Sequence, residues 1–281
     1  MIQTVCVCGA GTMGSGIAQT SAAAGFYTIL FELNESVLDK AKTTIEKKLQ
    51  TLVEKNKISE TDKAATLNNL HFTNDLYDCL ANVVIEAIVE DAPKKIALIN
   101  QLAEINHSET VFATNTSSIS VTQIATAVKN PERVVGMHFF NPATLMKLVE
   151  VVATDFTNPQ TLQLVIDFSK QMNKTPVLCK DAPGFIVNRV ARPFYIESLR
   201  MLEENSASIF TIDSIMEASG FRMGPFKLMD LIGNDINYAV SCSVYQQLHN
   251  PERLKPSFIQ KEKVANGELG KKTKRGYYQY D

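Results

Sequence analysis

The chain has 281 residues, 45% of them hydrophobic and 21% charged, with a formal net charge of −2. Its composition is that of an ordinary globular protein, and its length favours two domains. It has no basic excess to attract nucleic acid or an anionic membrane and no apolar run near the ~20 residues of a bilayer span. Met1-Ile2-Gln3 leads straight into strand-like sequence without a basic leader, so a cytoplasmic protein is expected.

The first element is an apolar strand from Ile2 to Val7, and an Ala-rich helical stretch ends near Gly25. Between them stands Cys8-Gly9-Ala10-Gly11-Thr12-Met13-Gly14, a Gly-x-Gly-x-x-Gly fingerprint in the strand–turn–helix context that gives it meaning. Gly9 permits the tight turn, Gly11 lets backbone approach a pyrophosphate, and Gly14 allows close helix–strand packing. Ala10, Thr12 and Met13 complete the loop at a helix N-terminus, whose amides and dipole favour phosphate. A second strand, Tyr27 to Phe31, ends at Glu32, about 20 residues further on, where a carboxylate takes the ribose hydroxyls of NAD and repels the 2′-phosphate of NADP.

A long charged helix follows from about Glu35 to Lys57 and a shorter one from Glu60 to Leu67. Ala81 to Ala87 reads as a buried strand, with a helix from Pro93 to about Asn106. Val111 to Thr114, Val134 to Phe140 and Lys147 to Val152 are further strands. A helix from Pro159 to Met172 and a strand from Pro176 to Cys179 complete the alternation of a doubly wound sheet. Beyond Asp181-Ala182-Pro183-Gly184 only helices are expected, near Phe185 to Glu204, Ile212 to Ser219, Pro225 to Leu231, Asp235 to Leu248 and Pro256 to Asn266. The fold class is therefore α/β: a Rossmann domain over residues 1–182, then an all-α domain over residues 183–281. The five cysteines, Cys6, Cys8, Cys79, Cys179 and Cys242, lack zinc-ligand spacing, so reduced thiols and no metal are expected.

Thr114-Asn115-Thr116-Ser117-Ser118 and His138-Phe139-Phe140-Asn141-Pro142 each close a strand, where open α/β sheets bind ligands. With Asp181–Arg189, Met223–Asp230 and the final Gly270–Tyr278, these motifs stand in the order found in one family. The whole chain resembles the L-3-hydroxyacyl-CoA dehydrogenases, in particular their stand-alone 3-hydroxybutyryl-CoA dehydrogenase branch. That resemblance implies NAD(H)-dependent interconversion of (S)-3-hydroxybutyryl-CoA and acetoacetyl-CoA.

The resemblance also assigns roles. His138 matches the catalytic histidine, whose ordinary pKa near 6.5 suits reversible proton transfer. Glu150 matches its orienting carboxylate, which it would face if the two strands pair. Ser117 and Asn188 match the groups that hold the substrate's 3-oxygen. Glu90, Lys95, Asn115, Asn141, Lys272 and Ser117 match cofactor contacts. Lys48 and Lys55 fall in the segment that meets the phosphates of coenzyme A, although a charged helix is as readily a solvated face. A homodimer through the helical domain is implied, with a short-chain acyl-CoA as the small-molecule partner.

Other readings remain. Hydroxyacid dehydrogenases related to 6-phosphogluconate dehydrogenase share the fingerprint but carry a catalytic lysine and a Ser-Gly-Gly loop, unlike His138–Pro142 here. Relatives acting on free acids such as gulonate differ in lacking the CoA ester. A non-catalytic NAD-binding role would be marked by loss of the His138–Glu150 pair, and both residues are present.

Overall fold

Val5, Val7, Val83, Ile85, Val111 and Ala113 are buried because their strands are covered on both faces, as parallel pairing requires. The computed structural model describes residues 2–281, and the chain divides into two units between Asp181 and Ala182. In the first unit the order is β1 (Thr4–Cys8), α1 (Thr12–Ala23), β2 (Tyr27–Phe31), α2 (Glu35–Glu54), α3 (Glu60–Asn68), β3 (Leu70–Thr73) and β4 (Val83–Glu86). There follow α4 (Ala92–Ile105), β5 (Val111–Thr114), α5 (Val121–Ala125), β6 (Val134–Phe139), β7 (Leu148–Ala153), α6 (Pro159–Gln171) and β8 (Thr175–Lys180).

The strands form one sheet in the order β3-β2-β1-β4-β5-β6-β7-β8. Strand order reverses between β1 and β4, the topological switch point at which doubly wound sheets bind ligands. Local chemistry sets the helix starts. The Asn34 side chain accepts from Ser36 N at 3.0 Å, Ser59 and Asp62 form a reciprocal capping box, and Asn158 caps α6 ahead of Pro159. Helix α2 buries Leu38, Ala41, Ile45 and Leu49, one stripe at helical spacing, and leaves its lysines in water.

Two features depart from the sequence reading. Strand β3 was not expected, because Leu70-His71-Phe72-Thr73 is short and half polar; it pairs on the edge with β2, Thr28 opposite Leu70. The sheet is also mixed. Strand β7 runs antiparallel to β6, and β8 runs parallel to β7. The short turn through Asn141-Pro142 is enough for an antiparallel return, whereas a parallel one needs a crossover of a dozen or more residues.

The second unit holds α7 (Val187–Glu203), α8 (Ile209–Ala218), α9 (Pro225–Ile232), α10 (Asn234–Gln247) and α11 (Phe258–Ala265). Tyr195, Leu199, Ile212, Phe226, Met229 and Tyr277 form its main core. The C-terminal segment is tied to this core by Asp230, a buried carboxylate that accepts from Tyr277 N, Tyr278 N and Tyr280 Oη, each at 2.9 Å. Isolated bridges join Gly270, Arg275 and Gln279, so the tail is not wholly without strand pairing. Among the described residues no helix is long and apolar enough to cross a membrane.

Gly136 shows how tightly β6 and β7 are fitted. It pairs with Val152, and a Cβ at Gly136 would lie 2.6 Å from the Val152 Cβ. Gly136→Ala is expected to cost about 1–3 kcal/mol in urea denaturation. Combined with Val152→Gly, which removes that Cβ, it should cost less than the sum of the two single changes; additive costs would contradict this fit.

Candidate active site

The fingerprint loop is shaped by close backbone contacts. Gly9 has φ of 102°, and a Cβ there would lie 2.7 Å from the Ala87 carbonyl oxygen. A Cβ on Gly14 would lie 1.8 Å from the Gly9 carbonyl oxygen, so helix α1 starts against the loop only because both residues are glycine. Around Gly11 the Cβ position meets nothing within 4 Å, and as the α1 N-cap it lends no side-chain oxygen to the first-turn amides. An open face with uncapped helix amides fits a dinucleotide pyrophosphate.

Glu32 stands beside this loop. Its carboxylate accepts from Ala10 N at 3.0 Å and Asn34 N at 3.1 Å, which fixes it at the end of β2. The Asn34 side chain is engaged in capping α2. The negative charge at this position therefore belongs to Glu32.

His138 and Glu150 are register partners across β6 and β7. Their side chains meet through His138 Nδ1 and Glu150 Oε2 at 2.7 Å, both residues buried. The Phe140 ring packs on the imidazole at 4.5 Å between centroids. With Nδ1–H donated to the carboxylate, Nε2 carries the lone pair that accepts a proton, and the carboxylate stabilises the cation that results. The Cys179 thiol on β8 registers this charge. Burial, then Glu150, then Asp181 push its pKa up to about 11.

The loop after β5 is bound from the β4 side. Glu90 Oε1 accepts from Thr116 Oγ1 at 2.6 Å, Ser117 N at 3.1 Å, Ser118 N at 3.2 Å and Ser118 Oγ at 2.8 Å. Asn115 Oδ1 accepts from Phe139 N at 2.9 Å, joining this loop to the end of β6. Ser117, Asn115 and His138 thus sit on neighbouring strand ends. Asn141 lies exposed at a cis peptide bond with Pro142.

The remaining expected residues fall elsewhere. The Lys95 ammonium is buried against Glu86 and Glu90, because a lysine so placed needs carboxylate partners. Lys48 is exposed on α2, and Lys55 is the residue that ends it. Asn188 lies in the first turn of α7, and Lys272 pairs with Asp235 at 2.6 Å; both belong to the second unit. Glu86 and Thr116 were missed. A glutamate ending an otherwise apolar buried strand was the available signal for Glu86.

Two family models match the chain. Residues 4–182 match the NAD binding domain of 3-hydroxyacyl-CoA dehydrogenase, and residues 184–280 match its C-terminal domain. The chain is 44% identical to the 3-hydroxyadipyl-CoA dehydrogenase of Escherichia coli over 281 residues, covering 99% of this chain but 59% of that protein. It is 40% identical to the mitochondrial hydroxyacyl-coenzyme A dehydrogenase of Sus scrofa, covering 100% of this chain and 92% of the other. The solved structure of (S)-3-hydroxybutyryl-CoA dehydrogenase from Ralstonia eutropha superposes with a TM-score of 0.95 at 36% identity, covering 100% of both chains.

The charge on Glu150 can be read through Cys179. A thiol raised to about 11 stays protonated and slow to alkylate at pH 9, where an ordinary cysteine is largely thiolate. Glu150→Gln removes one of the charges that raise it, so the titration midpoint of iodoacetamide labelling at Cys179, followed by peptide mass spectrometry, is expected to fall. An unchanged midpoint would remove the charged Glu150 from this site.

Proposed function

The chain belongs to the 3-hydroxyacyl-CoA dehydrogenase family, and on that premise we propose that it interconverts (S)-3-hydroxybutyryl-CoA and acetoacetyl-CoA, with His138 as the proton-transfer group and Glu150 as its carboxylate. The observation that carries this reading is the buried 2.7 Å contact between them. In the oxidative direction His138 Nε2 takes the proton of the 3-hydroxyl, while Nδ1–H stays with Glu150. The resulting imidazolium is stabilised by a carboxylate held away from water, where the attraction is strongest. In the reductive direction the same nitrogen returns the proton to the 3-oxygen.

The first unit would hold NAD(H), which would supply the chemistry of hydride acceptance in the oxidised form and hydride donation in the reduced form at C3. For that cofactor this chain supplies the Gly9–Gly14 loop for the pyrophosphate and Glu32 for the adenosine ribose. Asn115, Ser117, Glu90 and Asn141 lie on or beside strand ends of the same face, which supports assigning them to the nicotinamide side. Ser117 is assigned to the 3-oxygen as a donor, together with Asn188 on the family resemblance. Lys95 acts through Glu90 rather than by direct contact, and Lys272 is kept as a cofactor contact on resemblance alone. Exposed cations at Lys48 and Lys55 are assigned to the phosphates of coenzyme A, whose charges need such partners.

NADH absorbance with the purified protein tests this directly. Acetoacetyl-CoA should consume NADH rapidly, free acetoacetate and NADPH slowly or not at all. His138→Gln should lower kcat by about 10²–10⁴-fold and leave NADH affinity nearly unchanged. Charge reversal at Lys48 and Lys55 should raise KM for the thioester alone. Turnover of free acids in preference to the thioester would move the chain to the hydroxyacid branch.

The second unit, residues 183–281, is proposed as the substrate-binding and dimerisation domain. Phe210, Ile215, Leu231 and Ile236 leave large apolar side chains exposed on its helices, which favours a protein partner surface. Sedimentation at micromolar concentration should give a dimer mass; a monomer mass would contradict it.

A further inference from the structure

Glu86 and Lys95 lie outside the proton-transfer pair, yet they form the most deeply buried ion pair among the described residues. Their side chains are 0% and 1% exposed and meet at 2.7 Å. Such a pair costs more to desolvate than an apolar pair of the same volume, so it is not explained by stability alone.

Its hydrogen bonds show what it holds. Glu86 Oε1 accepts from Lys95 Nζ and from Ile88 N at 2.8 Å, and Oε2 accepts from Thr114 Oγ1 at 2.6 Å. Glu86 ends β4 and Thr114 is its register partner at the end of β5. The carboxylate is therefore fixed to two strand ends and to the turn between β4 and α4. Lys95 reaches back from α4 and passes its charge on to Glu90 Oε2 at 3.2 Å.

Glu90 is the weak point of this chain of contacts. Its side chain is 38% exposed on a loop, and one of its oxygens takes all four donors from Thr116, Ser117 and Ser118. Four donors on one oxygen demand a single carboxylate orientation, and the grip of Lys95 on the other oxygen supplies it. The Glu90 carboxyl is held below its ordinary range: burial pushes it up, but the Lys95 charge and the Thr116 and Ser118 hydroxyls outweigh that.

We infer that Glu86 is a positioning residue for the Ser117 loop: it anchors Lys95 as a buried cation, and Lys95 orients Glu90 on the Ser117 and Ser118 amides. The clamp stands on these contacts. Only its last link, the action of Ser117 on the reacting oxygen, rests on the function proposed above.

Two variants of the full chain test it, Glu86→Gln and the double variant Glu86→Gln with Lys95→Met. In Glu86→Gln the Ser117 and Ser118 amides should exchange with solvent about tenfold faster. Its kcat for acetoacetyl-CoA reduction should fall about 10- to 100-fold. The double variant leaves no unpaired buried charge, so its thermal stability should return toward wild type. Its amide exchange should remain fast and its kcat low, because Glu90 is still unclamped. Recovery of kcat together with stability would make the pair merely structural and overturn the proposal, as would wild-type exchange at both serines in Glu86→Gln. Should Glu86→Gln fail to fold, the double variant decides alone. A wild-type protein that does not reduce acetoacetyl-CoA would defeat the functional reading, while the exchange rates would still decide the clamp.

Discussion

The proposed chemistry depends on the reversal of one strand. In the parallel part of the sheet, successive strands are joined by crossovers, and residues close in sequence on two such strands do not face one another. Strand β7 instead returns antiparallel to β6 through a short turn, so the end of β6 lies beside the start of β7. Directly opposed residues in that arrangement have Cβ atoms about 5 Å apart on the same face. A one-residue slip would turn Glu150 to the other face and leave His138 without its carboxylate. The valines around the pair, Val149, Val151 and Val152, are fully buried and hold that register.

A second constraint acts at the other end of the same face. The loop after β1 passes so near Ala87 and α1 that Gly9 and Gly14 have no room for side chains. Glu32 is then bonded to the loop's own Ala10 amide. The dinucleotide fingerprint and its acid are thus one bonded unit, and the acid's charge comes already oriented. Between this unit and the His138–Glu150 pair lie the ends of β4 and β5, where Glu86, Lys95 and Glu90 connect strand ends to the Ser117 loop. Glu86 and Lys95 support this stretch from beneath, both fully buried.

Much of this was legible in the sequence because it is written locally. A glycine spacing and a strand-end acid are each decided within a few residues. The pairing of His138 with Glu150 could be stated only conditionally, since strand direction is a property of the assembled sheet. Strand β3 is hard to read from sequence because Leu70-His71-Phe72-Thr73 alternates over only 4 residues and has no apolar run; edge pairing to β2 makes it a strand. The burial of Lys95 was not legible for the same reason. A lysine in the first turn of a helix looks solvated until the buried carboxylates of Glu86 and Glu90 are seen beneath it.

In the proposed reaction Glu150 fixes the imidazole of His138 so that Nε2 takes the proton. Nitrogen-15 NMR of histidine-labelled protein reads this most directly, because the chain has only 4 histidines and His138→Gln assigns the signal. Neutral His138 is expected to carry its proton on Nδ1 and to leave Nε2 unprotonated. A neutral ring protonated on Nε2 would contradict it, because that nitrogen would have no lone pair for the substrate's hydroxyl proton.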